Sequence, residues 1–191
     1  MTESGSISAP IYRHESIAST NTEALRLGEA GEPHHTVVIA DYQTAGRGKL
    51  DRKWLMPPKK GVLLSIILRD MPPGVAFASL TLQVGWRLAN RLRAMTGLQI
   101  DVKQPNDLMF QGKKLGGILS EARWRGEELV FAVVGVGINV NVAEFPEELR
   151  ESATSLALAA GREFEVEEII QAVIEELRGI REREAEEKDE G

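Results

Sequence analysis

The chain has 191 residues, enough for one domain with a substantial buried core. Its 29 acidic residues outnumber 23 basic ones, and the net charge of −6 argues against nucleic acid as a main partner, since duplex binding needs a broad basic face. There is no cysteine, which excludes disulfides and thiolate metal sites, and no apolar run approaches the length of a bilayer span.

The N-terminus, MTESGSISAP, lacks the basic start and apolar run of a signal peptide. Residues 1–10 read as a disordered lead. Together with the missing cysteine, this points to a reducing cytoplasm. Thr20-Asn21-Thr22-Glu23 has the spacing of a capping box, in which hydroxyl and carboxylate satisfy orphan amides reciprocally. A helix is predicted from there to about Ala30, stopped by Gly31 and Pro33. Thr36 to Ala40 and Val62 to Leu68 read as buried strands. Phe77, Leu80, Val84, Leu88, Leu92 and Met95 recur at spacings of three and four, one helix face closed by Gly97. Ile100 to Lys103 is a short extended segment ended by Pro105. Leu108 to Arg123 reads as two strands about a turn at Gln111-Gly112. A turn at Arg125-Gly126 leads into a long strand, Leu129 to Asn141, whose glycines at 135 and 137 are read as allowing a bulge. A last helix carries Ile169, Val173, Leu177 and Ile180 on one face. Trp86 and Trp124 read as packing residues, and 182–191 as a charged, solvated tail. The fold class expected is α+β, a mixed, largely antiparallel sheet with helices packed on one face.

One segment stands against the acidic background. Between Gly46 and Lys60 lie Arg47, Lys49, Arg52, Lys53, Lys59 and Lys60, against the single acid Asp51. Gly46 and Gly48 permit positive φ, so successive amides can converge on an anion. Arginine adds a planar fork for phosphate or carboxylate, and Trp54 a flat surface for a ring. Read alone, the segment is equally a solvated hairpin. It lacks the Gly-Lys-Ser/Thr of a Walker loop and the following helix of a dinucleotide fingerprint.

A second cluster, Lys103-Gln104-Pro105-Asn106-Asp107, precedes Gly112-Lys113-Lys114-Leu115-Gly116-Gly117-Ile118-Leu119-Ser120-Glu121, and Gly135-Val136-Gly137-Ile138-Asn139-Val140-Asn141 follows. With these in view, residues 12–180 resemble the catalytic domain of biotin protein ligases. That family carries a Gly-Arg-Gly-Arg-x-Gly-Arg-x-Trp loop, then Lys-Trp-Pro-Asn-Asp, Lys-Leu-Ala-Gly-Ile-Leu and Gly-Ile-Asn-Val-Asn. Ser19-Thr20-Asn21 and Gln43-Thr44-Ala45 match the start of the family's first helix and of its loop. The stretch has neither the N-terminal DNA-binding segment nor the C-terminal β-barrel of longer members, so residues 11–181 are expected to form the catalytic domain alone.

The resemblance implies ATP-dependent ligation of biotin to a lysine of an acceptor, a biotin carboxyl carrier protein or domain, through biotinyl-adenylate. ATP and biotin are the implied substrates, with Mg2+ carried by ATP and no dedicated metal site. No nucleic acid or membrane partner is implied, and a homodimer is left open. By the same resemblance Lys114, Arg47 and Arg52 are the catalytic candidates, with Lys103 nearby. Ser19, Thr20 and Gln43 would hydrogen-bond the ureido ring, and Asn21, Gly46, Gly48 and Lys49 join the substrate-binding set. Asn106, Asn139 and Trp54 would lie near the nucleotide. Gly116 and Gly117 would let a strand backbone approach the ligand, and Asp107 would orient a basic group or the incoming lysine. Ser19 and Thr20 read equally as helix caps, and Asn139 as a turn residue. The sequence departs from the family at Lys49 (arginine there), Asp51 (glycine), Gln104 (tryptophan) and Met56 (often serine). Gln104 keeps open ligation of another acyl group such as lipoyl, and Asp51 a binding protein with weakened turnover.

Overall fold

The computed structural model describes residues 9–69, 71 and 77–180. Most of the expected lead and the whole charged tail lie outside them. The chain runs β1 (Ile11–His14), α1 (Thr20–Glu29), β2 (Val37–Ala40), β3 (Gly61–Leu68), α2 (Phe77–Thr96), β4 (Ile100–Lys103), β5 (Asp107–Phe110), β6 (Lys113–Arg125), β7 (Glu128–Asn139), α3 (Leu156–Ala160) and α4 (Val166–Arg178). The strands form one sheet in the order β1-β2-β3-β7-β6-β5-β4. Only β1 and β2 pair in parallel, because α1 connects them as a crossover; all other neighbours are antiparallel. Among the described residues no helix is long and apolar enough to cross a membrane.

The two faces of the sheet are covered differently. Val62, Leu64, Ile66 and Leu68 of β3 meet Leu80, Val84 and Leu88 of α2 and Ile169, Val173 and Leu177 of α4. The alternate residues Val38, Ile67 and Val133 turn the other way and pack under Ala24, Leu25 and Leu27 of α1. Helices on one face therefore describes α2 and α4, while α1 lies across the other. The reason is in β2 and β3: both are apolar at nearly every position and buried throughout, so neither face could meet water.

Several local signals act as expected. Gln111 (φ 47°) and Gly112 (φ 79°) both take positive φ, as a two-residue hairpin turn between β5 and β6 requires. Gly97 ends α2 at φ 74°. The β6–β7 turn sits at Gly126-Glu127, one residue on from the expected place. The capping box does not form. Ser19 is the N-cap residue, its side chain makes no capping bond, and Thr20 is already helical. Glu23 is taken by Arg26, whose Nε and Nη2 donate to it at 2.9 and 2.6 Å. A guanidinium one turn away offers a charged fork that outcompetes a single amide. The glycines of β7 form no bulge either, since Gly135 and Gly137 pair regularly with both neighbouring strands.

Candidate active site

On the α1 face, three rows of residues run side by side across the sheet. Ile67, Val133 and Glu121 form one, Ser65, Gly135 and Leu119 the next, and Leu63, Gly137, Gly117 and Asp107 the third. Helix α1 covers the first row. Beyond it the glycines of β6 and β7 leave the sheet without side chains, and a cavity of about 800 Å³ opens there. The space is used closely. A Cβ on Gly135 would lie 1.9 Å from Asn21 Oδ1, and one on Gly137 would lie 2.6 Å from the Trp54 ring. These glycines seat the side chains above them.

The end of the cavity beside α1 is neutral and polar. Ser19, Thr20 and Asn21 are all buried there. The Thr20 amide donates to Gln43 Oε1 at 2.7 Å, and the Thr20 hydroxyl lies 3.1 Å from the same oxygen. Ser65 Oγ, fully buried, is 2.8 Å from Thr20 Oγ1 and 2.6 Å from Asn21 Oδ1. Asn21 Nδ2 donates to Leu119 O and to Glu121 Oε2. Freed from capping, the Ser19 side chain lines the cavity.

Next to this polar cluster the cavity is lined by cations. Residues 46–54 form a small hairpin of their own: Trp54 N donates to Gly46 O at 2.9 Å, Gly48 N to Arg52 O at 2.6 Å, and Arg47 bridges Lys53. Gly46 and Gly48 do not supply the positive φ expected of them. That conformation falls on Leu50 (φ 58°). Gly46 is small because its partner arm is close: a Cβ there would lie 2.4 Å from Trp54 O. Arg47, Gly48, Lys49, Arg52 and Trp54 line the cavity, and Gly46 does not. Leu50, 82% exposed, projects from the tip.

Lys114 enters from the sheet side. Its Nζ donates to Asp107 Oδ1 at 2.6 Å and lies 5.6 Å from the centre of the Trp54 ring. Its backbone is clamped as well: Lys114 N donates to Ser152 O at 2.7 Å and Thr154 N to Lys114 O at 2.9 Å. Arg47, Arg52 and Lys114 thus share one cavity with Lys103, Asn106, Asp107, Gly117 and Asn139. Asn106 Nδ2 donates to Ile118 O and Asn139 Nδ2 to Thr154 O. Asn139 Oδ1 is buried and has no partner among the described residues. A backbone-holding role accounts for each amide nitrogen and leaves that oxygen over.

Two expectations fail on geometry. Gly116 faces away from the cavity, toward the α2 side, where a Cβ would lie 2.8 Å from Gly137 O and 3.3 Å from Leu108. One-residue alternation separates it from Gly117. Gln104, the departure that kept another acyl group open, is exposed and does not line the cavity. Trp86 and Trp124 are about half exposed and also lie elsewhere, Trp124 edge-on to Phe77.

The sequence reading missed three contributors. Ser65 interrupts an apolar run, which was a visible signal for a buried hydroxyl with a purpose. Glu121 was quoted within a motif and given no role. The connector after β7 supplies the remaining wall through Phe145, Leu149 and Ala153, and nothing in its composition announces that. Its end is fixed by α3, where Ser155 Oγ accepts from Leu158 N and Gly161 closes the helix at φ 68°.

The family model described as the biotin/lipoate A/B protein ligase family matches residues 14–139. The chain belongs to this family. Among relatives of this ligase family, the bifunctional ligase/repressor BirA of Bacillus subtilis is 37% identical over 163 residues, covering 84% of this chain and 50% of that protein. The biotin–[acetyl-CoA-carboxylase] ligase of Mycobacterium tuberculosis is 36% identical over 143 residues, covering 72% and 51% respectively. This ligase-family chain thus spans about half the length of the curated relatives it matches. The biotin protein ligase from Aquifex aeolicus, solved with biotin and ATP, superposes with a TM-score of 0.77 at 32% identity, covering 91% of this chain and 72% of that one.

Proposed function

We propose that this chain ligates biotin to a lysine of a biotin carboxyl carrier protein at the expense of ATP, through biotinyl-adenylate. The observation that carries the reading is that Arg47, Arg52 and Lys114 line one cavity together with the neutral polar residues Ser19, Thr20, Asn21 and Gln43. Biotin has that polarity: an uncharged ureido ring at one end and a carboxylate at the other. Its ring would lie against Ser19, Thr20, Asn21 and Gln43, and its carboxylate would point to the cations. The structures of Aquifex aeolicus biotin protein ligase with biotin and ATP support the choice of ligands.

In the first step the carboxylate oxygen attacks the α-phosphorus of ATP and the bond to the bridging oxygen of pyrophosphate breaks. Both reactants are anions, so the barrier is lowered by positive charge that acts most strongly on the crowded transition state. Asp107 fixes Lys114 so that its ammonium stays at the reacting centre. Arg47 and Arg52 offer planar donors, and Lys49 adds charge without a fork. Trp54, Asn106 and Asn139 would meet the nucleotide. Gly117 admits the ligand to the strand. Magnesium would arrive on the phosphates. In the second step a neutral acceptor amine attacks the mixed anhydride carbonyl. AMP leaves, and the amine proton passes to solvent or to a base at the cavity mouth. Lys103 also lines the cavity. Residues 11–181 would make up this catalytic domain, working in the cytoplasm.

The test is ATP–pyrophosphate exchange over a panel of small carboxylic acids. Biotin is expected to support exchange, and Lys114→Ala to lower it by about 100-fold or more, the scale of losing one preorganised charge. Exchange with lipoate and none with biotin would change the substrate. Tight biotin binding without exchange would remove the enzyme reading.

A further inference from the structure

Glu121 sits on β6 in the row beside the cavity and has no part in the reaction described above. Its carboxylate faces two donors at once. Oε2 accepts from Arg47 Nη2 at 2.8 Å and from Asn21 Nδ2 at 2.8 Å. Arg47 belongs to the cationic hairpin, and Asn21 belongs to the neutral polar end. The side chain of Glu121 is 24% exposed and that of Arg47 is 44% exposed. At its end the Trp54 ring packs over Gly137, the rest of the hairpin is closed on itself by backbone bonds, and its tip residue Leu50 is almost fully in water. The Arg47–Glu121 pair is therefore a side-chain tether between the hairpin and the rigid sheet.

We propose that Glu121 is a positioning residue for the anion-binding arginine. It holds the guanidinium through one terminal nitrogen, Nη2. The other terminal nitrogen and Nε are left to bind an incoming carboxylate or phosphate. The anchor does not drift, because Asn21 is itself locked from both ends. Asn21 Oδ1 is bound to buried Ser65, and Nδ2 also reaches Leu119 O. Gly135 provides the space in which this lock forms. Arginine carries much rotamer entropy, and fixing it before the ligand arrives removes that cost from binding. A carboxylate suits the task, since it keeps the fork aligned and stays out of the cavity that must receive other anions.

The inference rests on the anion-binding role of Arg47 and is tested apart from the identity of the acid. Hydrogen exchange of residues 46–54 is measured without ligand in the wild type, Glu121→Gln, Arg47→Ala and the double variant. Glu121→Gln is isosteric and keeps an oxygen for Asn21. It is expected to speed hairpin exchange roughly fivefold, the scale of one partly exposed ion pair. In the Arg47→Ala background the same change is expected to add nothing, because Glu121 acts through Arg47. An equal acceleration in both backgrounds, or none in either, would overturn the proposal. In the exchange assay Glu121→Gln is expected to raise KM for ATP and for biotin, the two anions Arg47 receives, and to leave kcat within about twofold, whereas general loosening of the fold would lower kcat as well. If no acid supports pyrophosphate exchange, the proposed reaction fails, and the hairpin measurement still decides the role of Glu121.

Discussion

Gly137 shows what one absent side chain contributes. Its hydrogen-bonding is that of any residue in mid-sheet, yet the Trp54 ring rests where its Cβ would be. Adding a methyl group there must move the indole, since the strand is held on both sides. Gly137→Ala is expected to keep the thermal midpoint within a few degrees and to lower pyrophosphate exchange at least about tenfold, because the displaced ring takes ligand space. Unchanged exchange would show that Trp54 can move without consequence. At this scale the sequence was legible by residue type and opaque in detail. The nominated cations and amides line one cavity. The purpose of each glycine was not legible, because a sequence states that a side chain is missing and not what fills its place. Thr20 makes the same point: its spacing to Glu23 fits a cap, and only the fold reveals that Gln43 and Ser65 claim the hydroxyl.

Among elements, β1 and α4 are joined by a contact that pH can read. Arg13 of β1 donates to Glu167 in the first turn of α4 through both terminal nitrogens. These bonds from Arg13 hold the Glu167 carboxyl below the usual carboxylate range, with burial opposing. A depressed carboxyl adds stability above its unfolded pKa and loses it as pH falls through the folded value. Both side chains are about half exposed, so the contribution is below about 1 kcal/mol. Arg13→Gln is therefore expected to lower stability slightly at about pH 7 and to flatten the loss between about pH 5 and 3, as read by urea midpoints. A parallel shift at every pH would contradict this. The elements that sequence revealed were the periodic ones. Helices α2 and α4 follow from spacing, because one apolar stripe can only face a core. Strand β1 escaped notice because IYRH is a short edge strand with no fully buried residue. Helix α3 escaped because five residues carry too little periodicity, although Ser155 and Gly161 marked both its ends.

The whole molecule separates its tasks by the face of the sheet. One side is closed by α2 and α4 and is core throughout. The other is core under α1 and chamber beyond it. The net charge of −6 and the basic hairpin then act in opposition: the body repels anions and the chamber mouth attracts them. Salt screens both, but the short-range attraction supplies the binding. KM for ATP is expected to rise several-fold between about 0.05 and 0.3 M potassium chloride, with little change for uncharged biotin amide as a ligand. A flat response would mean that the hairpin cations do not meet the triphosphate. The mixed, largely antiparallel sheet was readable from strand order and turn chemistry. The division of helices between faces was not, because it depends on which alternate residues of β2 and β3 find which partner.

The clamp on Lys114 has a consequence for traffic. The connector carrying Ser152 and Thr154 is stitched to the same backbone that presents the lysine, and Asn139 adds a third stitch. It cannot swing aside as a door without pulling the ammonium off station. The hairpin opposite is held by its own short ladder, the Arg47–Glu121 pair and the Trp54 ring laid over Gly137, and its tip at Leu50 stands in water.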